Sequence, residues 1–256
     1  MRICRRKLLL AILIVGNIFT ASAQLDTSVL DSNKVTVAKP KFLRQLVVPA
    51  ALLGYGTLSL GSGSLRQLDR YINNSTIGQH GYSGSVDDYL RYGPIAAVYG
   101  LDIIGVKAKH HFIDRSAMLL ISMAITSSAV TFTKNNIYRM RPDRSGTSSF
   151  PSSHTAMAFM AAEFMRQEYG KRSVWFNIVG YSAATFTDVL RMYHHIHWFS
   201  DVVMGAGYGI LATRLAYLVY PYLRNVFLPK KNDSFVVLPT PYDGHLGFSI
   251  KYTFKQ

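Results

Sequence analysis

The chain has 256 residues, of which 49% are hydrophobic, and its 28 Lys and Arg against 14 Asp and Glu give a formal net charge of +14. This excess of positive charge favours anionic partners such as lipid headgroups or phosphate groups, and nucleic acid is the competing interpretation. The only cysteine is Cys4, which excludes a framework of disulfide bonds.

The first 23 residues have the pattern of a secretory signal peptide. Met1 to Lys7 carries four cations, Leu8 to Thr20 is apolar, and Ala21-Ser22-Ala23 forms a small-residue cleavage site. We therefore predict a signal peptide over 1–23 and a linker over 24–42, in a protein exported to the bacterial cell envelope. Export, together with the lack of a recognised binding motif, argues against nucleic acid as a partner.

The remaining chain predicts an all-α fold, an up-down bundle of about six membrane-associated helices within a domain over 43–228. The predicted helices are 43–61, 87–107, 114–140, 154–168, 173–191 and 198–224. The longest loop, 62–88, is rich in Gly, Ser, Asn and Asp. In the tail over 229–256, two apolar segments flank a turn that contains proline and glycine, which predicts a small β-hairpin.

Two motifs predict binding of an anion. Lys134 and Arg141 are seven residues apart, or two helical turns, so a helix would point both to one face. Pro142 is expected to end that helix and to leave the guanidinium at its rim, where it can bind an oxyanion through paired hydrogen bonds. The motif Pro151-Ser152-Ser153-His154 precedes an apolar run, so its serines fall at a helix N-terminus, which favours an anion.

A third motif contains Arg191, His197 and Asp201. One helical turn would bring the Asp201 carboxylate to the His197 imidazole, fix its tautomer and leave the other ring nitrogen free as a nucleophile. With His154, this arrangement permits a two-step phosphoryl transfer. One histidine attacks phosphorus, while the other protonates the leaving oxygen and later activates water.

In order and spacing, these motifs resemble the signature of the type 2 phosphatidate phosphatase superfamily, which includes bacterial acid phosphatases and vanadium haloperoxidases. The resemblance implies that His197 is the nucleophile that forms a phosphohistidine, that His154 is the general acid and that Asp201 is the partner of His197. The phosphate-binding residues that it implies are Lys134, Arg141, Ser152, Ser153 and Arg191. It implies no metal and no cofactor.

Two positions depart from the family pattern. Ser153 stands where glycine is usual, and Leu190 stands where a serine usually precedes the arginine. A serine still offers its backbone N–H, but less freely where the position needs a positive φ. Neither departure deletes a group that performs chemistry, so we expect activity to persist.

Each motif alone has a simpler interpretation: a solvated basic helix end, an ordinary N-cap, or a helix-stabilising His–Asp contact. Their occurrence together and in order favours a single site. His194 and His195 lie outside the pattern, and we interpret them as loop or rim residues. A metal site formed by His195, His197 and Asp201 is a weaker alternative, as is a haloperoxidase that requires bound vanadate.

The membrane topology has two solutions. Leu46–Leu65 and Ser116–Thr133 reach the ~18 uncharged residues of a membrane span. The other helices carry charged residues in their interiors, namely Asp102, Glu163, Asp188 and Arg214. The positive-inside rule places the three motifs outside the cytoplasm, but a signal peptide followed by six spans would reverse that orientation. Either an early segment such as 43–61 does not cross, or the bundle lies in the periplasm against a membrane.

We therefore expect a phosphatase that hydrolyses lipid-linked phosphate or diphosphate at the periplasmic face, with a phosphorylated lipid and the membrane as its partners. Candidate substrates are undecaprenyl diphosphate, phosphatidate, phosphatidylglycerol phosphate and lipid A phosphates. One alternative is a periplasmic acid phosphatase for soluble phosphomonoesters, which the charged helix interiors favour. The other is an envelope protein with an inactive phosphate pocket, which Ser153 and Leu190 favour.

Overall fold

A computed structural model describes residues 41–76, 86–227, 234–242 and 245–253, and the side chains of 45–76 and 86–224. The helices are α1 (Lys41–Ser59), α2 (Gly63–Ser75), α3 (Val86–Leu90), α4 (Gly93–Ile103), α5 (Phe112–Asn136), α6 (Ser153–Tyr169), α7 (Val174–Tyr193) and α8 (Phe199–Phe227). The fold is all-α, as predicted. The predicted signal peptide, 1–23, and linker residues 24–40 lie outside the described residues.

Two antiparallel strands follow the helices in the region of the predicted hairpin. They are β1 (Ser234–Tyr242) and β2 (His245–Thr253), and Ser234 lies opposite Thr253 in their register.

The prediction of a long loop over 62–88 was wrong for the part that forms α2. The segment is polar overall, which hid the helical spacing of apolar residues such as Leu65 and Ile72. Ser62 caps the helix by accepting a hydrogen bond from the Leu65 N–H at 3.4 Å. This helix brings Asp69, which is buried, into the protein interior.

The single helix predicted over 87–107 is two helices, α3 and α4. Arg91 and Tyr92 separate them, and Pro94 lies in the first turn of α4. Proline lacks a backbone N–H and fits the first turn of a helix, so the sequence restarts the helix at this point rather than continuing it.

Helix α5 ends at Asn136, four residues before the predicted end, so Lys134 and Arg141 do not lie on one helix face as we had predicted. After the helix, the chain turns back on itself. The Arg139 N–H donates to the Thr147 carbonyl at 2.8 Å, and the Ser149 N–H donates to the Arg139 carbonyl at 3.0 Å. Backbone pairing across the loop thus replaces the last helical turn, and Arg141 reaches the site from the loop.

Helix α6 is the central helix of the bundle. Its Phe164 and Tyr169 side chains are fully buried in a core with Val98 of α4. On another side α6 packs closely on α8 at Gly205 and Gly209, because glycine leaves room for the two backbones. This packing brings the N-termini of α6 and α8 together, and both N-termini carry predicted site residues.

Gly209→Ala is expected to destabilise the protein by about 2–3 kcal/mol or more, because overpacking of a tight contact forces the backbone apart. An added Cβ would lie 2.2 Å from the Ala156 carbonyl oxygen and 2.6 Å from the Met160 nitrogen. Thermal unfolding in detergent measures the change. The matched control is Gly100→Ala, where an added Cβ meets nothing within 4 Å; an equal effect of both substitutions would contradict the close packing.

Two described helices are long and apolar enough to cross a membrane, α5 and the Phe199–Arg224 part of α8. These helices identify a membrane protein. The predicted span Leu46–Leu65 is not one straight helix, because the chain breaks between α1 and α2 and bends by 96°. The bent pair is a third candidate span if it is counted as one.

Three of the four charged residues within the predicted helices, Asp102, Glu163 and Arg214, form ion pairs in the structure. Glu163 accepts hydrogen bonds from Arg166 Nε at 2.7 Å and from Arg214 Nε at 2.9 Å. Asp102 forms an ion pair with Arg115. Because a buried charge with a partner is much less costly than an isolated one, Arg214 does not exclude α8 from a membrane.

The connections between helices meet at two opposite ends of the bundle. At one end the Asp143 N–H donates to the His195 carbonyl, and the Ser152 N–H donates to the Asp201 carbonyl, each at 3.0 Å. These bonds join the α5–α6 connection to the α7–α8 connection, as predicted from an up-down order. At the other end, the Lys109 N–H donates to the Glu168 carbonyl at 3.1 Å.

Candidate active site

His197 lies in the connection between α7 and α8 and is buried, with 4% of its surface exposed. Its Nδ1–H donates to the Ser149 carbonyl oxygen at 2.8 Å. A carbonyl oxygen only accepts, so this bond puts the proton on Nδ1 and leaves the lone pair on Nε2. Burial lowers the pKa of the His197 imidazole, and the charges of Lys134 and Arg141 act in the same direction. The neutral ring at neutral pH is the form that a nucleophile needs.

Asp201 lies near His197, as predicted for its partner, but the shorter contact of the His197 Nδ1 is the Ser149 carbonyl. Asp201 Oδ2 is 3.7 Å from Nδ1 of His197, because His197 precedes α8 and the pair does not share a helical turn. The carboxylate instead accepts hydrogen bonds from the Ser149 hydroxyl and from the Trp198 N–H, the latter at 2.9 Å. Asp201 thus fixes the position of Ser149, whose carbonyl orients the His197 ring.

Ser149 is a functional residue that sequence reasoning missed. It is fully buried. Its hydroxyl donates to Asp201, and its carbonyl accepts from His197, so Ser149 links the two residues. The carbonyl contact leaves no signal in a sequence, because every residue type has a backbone oxygen.

Two of the predicted phosphate-binding cations approach the site from the α5 side. Lys134 Nζ donates to the Ser148 carbonyl oxygen at 2.6 Å. Arg141 has a buried Nε without a hydrogen-bond partner, and its Nη1 is 3.5 Å from the Ser145 hydroxyl. A buried guanidinium N–H without a partner costs free energy, so an oxyanion in the site would satisfy it.

The serine pair begins α6. Ser152 is the N-cap, and its hydroxyl oxygen accepts hydrogen bonds from the Thr155 N–H at 3.4 Å and from the Thr155 hydroxyl at 2.9 Å. The Ser152 N–H is already used by the Asp201 carbonyl, so the hydroxyl hydrogen of Ser152 and the next N–H groups of the helix are the donors left for an anion.

Ser153 does not need the backbone freedom of glycine. Within the described residues, the non-glycine residues with positive φ are Arg144 and His195. Ser153 has helical backbone as the first residue of α6. The departure from the family pattern at this position therefore introduces no backbone strain.

His154 and Arg191 face an acidic pair at α3 that the sequence did not reveal. His154 Nε2 lies 2.6 Å from Asp88 Oδ1, and Arg191 Nε lies 2.9 Å from Asp87 Oδ2. Asp88 is also 3.7 Å from Arg191 Nη2. The two side chains predicted to bind and protonate a phosphate ester are therefore neighbours, held by carboxylates from a segment far away in sequence.

Burial and the positive charge of Arg191 lower the pKa of His154 to about 4, while the hydrogen bond to Asp88 opposes this shift. A bound phosphate dianion would act in the same direction as Asp88 and favour the protonated, acidic form of His154. The protonated form of His154 is thus weakly populated at neutral pH when no anion occupies the site.

The pH optimum of kcat/KM is expected to lie below ~6.5, the ordinary histidine pKa. This ratio reports the free enzyme, in which the predicted roles require His197 to be unprotonated and His154 to be protonated. Both pKa values are lowered, so activity falls at low pH as His197 becomes protonated and falls at higher pH as His154 loses its proton. A profile from pH 4 to 9 measures both limbs, and an optimum above pH 7 would contradict the assignment.

The remaining histidines of the connection do not form a metal site with His197. His195 Nδ1 bonds to Asn73 Oδ1 at 2.8 Å. In the part of the chain that the structure describes, no group of three or more His, Cys, Asp or Glu side chains is placed to hold a metal ion.

A helical membrane protein that collects two histidines, an aspartate and several cations at one end of its bundle has the features of a protein that binds phosphate groups. Residues 115–225 match the model of the PAP2 superfamily, and this stretch contains all the predicted site residues. Over this stretch the chain is similar to the PAP2 superfamily.

Known proteins similar to this chain include the lipid A 1-phosphatase of Porphyromonas gingivalis. It is 34% identical over 145 residues, which are 56% of this chain and 32% of that protein. The chain thus spans about a third of the length of this relative.

Two solved structures are also similar. Aquifex aeolicus LpxE has 20% identity and a TM-score of 0.45 over 60% of this chain and 94% of that one. The first transmembrane PAP2 type phosphatidylglycerolphosphate phosphatase from Bacillus subtilis has 18% identity and a TM-score of 0.47 over 72% of this chain and 99% of that one.

Proposed function

We propose that this protein is a metal-independent phosphatase that hydrolyses a lipid-linked phosphate or diphosphate through a phosphohistidine intermediate at the periplasmic face of a membrane. The observation that carries the proposal is the geometry of His197. Its Nδ1–H is fixed by the Ser149 carbonyl at 2.8 Å, so the lone pair is on Nε2, and the ring is neutral beside Lys134 and Arg141.

The reaction has two steps. In the first, Nε2 of His197 attacks phosphorus, the N–P bond forms, the P–O bond to the lipid breaks, and His154 gives its proton to the leaving oxygen. In the second, His154 takes a proton from water as the water oxygen attacks phosphorus, the N–P bond breaks, and phosphate is released. Lys134, Arg141 and Arg191 stabilise the charge on the phosphoryl oxygens in both steps.

A lipid-linked substrate is supported by the composition of the helices and by the relative. Two helices long and apolar enough to cross a membrane carry Lys134 and Asp201 near their ends, so the site lies at the boundary of the apolar part of the protein. The similar protein from Porphyromonas gingivalis is named a lipid A 1-phosphatase. A phosphorylated lipid presents its headgroup at this depth, whereas its acyl chains remain among the apolar helices.

The first test is phosphate release by the detergent-solubilised protein, with excess chelator, from lipid A, phosphatidate, phosphatidylglycerol phosphate, undecaprenyl diphosphate and a soluble phosphomonoester. We expect release from a lipid substrate to persist in chelator and to be absent in His197→Ala. Loss of wild-type activity to the chelator would indicate a metal hydrolase. Preference for the soluble ester would indicate a scavenging acid phosphatase, and no release from any substrate would favour a protein with an inactive pocket.

The orientation of the site is expected to be periplasmic, because the opposite end of the bundle carries cations such as Lys109 and Arg172. The sole native cysteine, Cys4, is replaced by serine, and single cysteines are placed at Ser145 of the catalytic end and at Lys171 of the opposite end, both exposed. In spheroplasts, a membrane-impermeant maleimide should label Ser145→Cys and spare Lys171→Cys until the membrane is broken. Reversed labelling would contradict the orientation.

A further inference from the structure

A buried network of charges lies behind Asp201, and neither Arg139 nor Asp69, which form it, belongs to the three motifs. Arg139 is one of the six residues between Lys134 and Arg141, and Asp69 lies on α2, before the stretch that matches the family. Asp69 and Asp201 are almost completely buried. Two buried carboxylates need cationic or hydrogen-bond partners, because their desolvation is costly.

Arg139 supplies the shared partner. Its Nη1 donates to Asp201 Oδ1 at 2.7 Å and lies 2.7 Å from the Ser200 hydroxyl, while its Nη2 donates to Asp69 Oδ2 at 2.6 Å. The planar guanidinium thus contacts both carboxylates with different nitrogens, a geometry that a lysine ammonium does not reproduce.

Asp69 is itself held in place by the start of α8. The Ser200 N–H donates to Asp69 Oδ1 at 2.9 Å, and the Ser200 hydroxyl donates to Asp69 Oδ2 at 2.6 Å. Arg139 also lies over the Trp198 ring, with 5.6 Å between its Cζ and the ring centroid. The guanidinium therefore has defined partners on several sides and little freedom to move.

We propose that Arg139 and Asp69 are positioning residues for phosphoryl transfer. Arg139 keeps the Asp201 carboxylate ionised and oriented toward Ser149, whose carbonyl fixes the tautomer of His197. Asp69 keeps Arg139 aligned and balances its charge. This inference rests on the proposed function. It means that α2, a helix outside the three motifs, completes the site.

The test is a double-substitution cycle with Arg139→Gln, Asp69→Asn and both together, measured as kcat, KM and inhibition by inorganic phosphate. We expect Arg139→Gln to lower kcat by about 10²-fold while KM and the phosphate inhibition constant change by less than about 3-fold, because Arg139 acts through Asp201 and does not touch phosphate. Asp69→Asn should cost about 10-fold in kcat.

The double variant distinguishes a charge network from two independent residues. Without Arg139, Asp69 and Asp201 are two buried carboxylates that repel each other, so adding Asp69→Asn should recover about 10-fold of the lost kcat. Arg139→Lys should recover only part of it, because an ammonium cannot contact both carboxylates in the same way. The exposed Arg144→Gln on the same loop is the control and should retain wild-type kcat.

The proposal would be overturned if the fold loss of kcat in the double variant equals the product of the losses in the two single variants. Wild-type kcat in Arg139→Gln would overturn it as well. The same four proteins are also compared by thermal unfolding, which does not require turnover. If the wild type releases no phosphate, the proposed function fails. The thermal-unfolding comparison then still tests whether Arg139, Asp69 and Asp201 form one charge network. A double variant more stable than Arg139→Gln is expected, and additive shifts of the unfolding temperature would overturn the network.

Discussion

His197→Ala is expected to lower kcat by about 10⁴-fold or more, the scale seen when a covalent nucleophile is removed. The structure favours this role for His197 over the other histidines because its Nδ1–H is fixed at 2.8 Å by the Ser149 carbonyl. An alanine leaves the cations in place, so the variant should still bind inorganic phosphate. The measurement combines steady-state release with alkaline quenching of the enzyme during turnover of a ³²P-labelled substrate.

A phosphohistidine is labile to acid and stable to base, so the label on the wild type should be lost at low pH and retained at high pH. It should be absent from His197→Ala. Added imidazole should restore part of the activity of His197→Ala, because the free ring can enter the space of the missing side chain and attack phosphorus. The exposed His111→Ala is the control and should behave as the wild type. An acid-stable label, or a label that persists in His197→Ala, would contradict the role.

The sequence could predict that the three motifs lie at one end of the bundle, because each motif is local and the helices alternate in direction. The sequence predicted that the serine pair lies at a helix N-terminus, and in the structure Ser152 is the N-cap and accepts a hydrogen bond from the Thr155 N–H. The meeting of the α5–α6 and α7–α8 connections followed from the alternation of helix directions. Both inferences depend on contacts between residues close in sequence or on the order of the helices.

The partners that orient these residues could not be inferred, because they are distant in sequence. Asp69 meets Arg139 from 70 residues away, and Asp88 meets His154 from 66 residues away. Neither aspartate belongs to a recognisable motif, and Asp69 lies in a segment whose polar composition predicted a loop. The position of Arg141 was also missed, because the helix end is set by backbone pairing across the loop between Arg139 and Thr147 rather than by Pro142.

His154→Ala is expected to have an effect that depends on the leaving group. For an alkyl or lipid phosphate, the leaving alkoxide is a strong base and needs a proton as the P–O bond breaks, so loss of the general acid should lower kcat by about 10²–10⁴-fold. A nitrophenolate leaves without a proton. With 4-nitrophenyl phosphate, the first step should therefore remain close to the wild-type rate in the variant.

The second step is expected to behave differently, because in the proposed mechanism His154 also acts there as the base that activates water, whatever group has left. His154→Ala should therefore give a burst of nitrophenol equal to the amount of enzyme, followed by slow turnover, with the phosphohistidine accumulating on His197. The wild type should show a smaller burst or none. Asp88→Asn provides a graded comparison, because it removes a carboxylate 2.6 Å from Nε2 and leaves the imidazole in place. The absence of a burst, with equal losses for lipid and nitrophenyl phosphates, would mean that His154 serves binding or folding and that another group carries the proton.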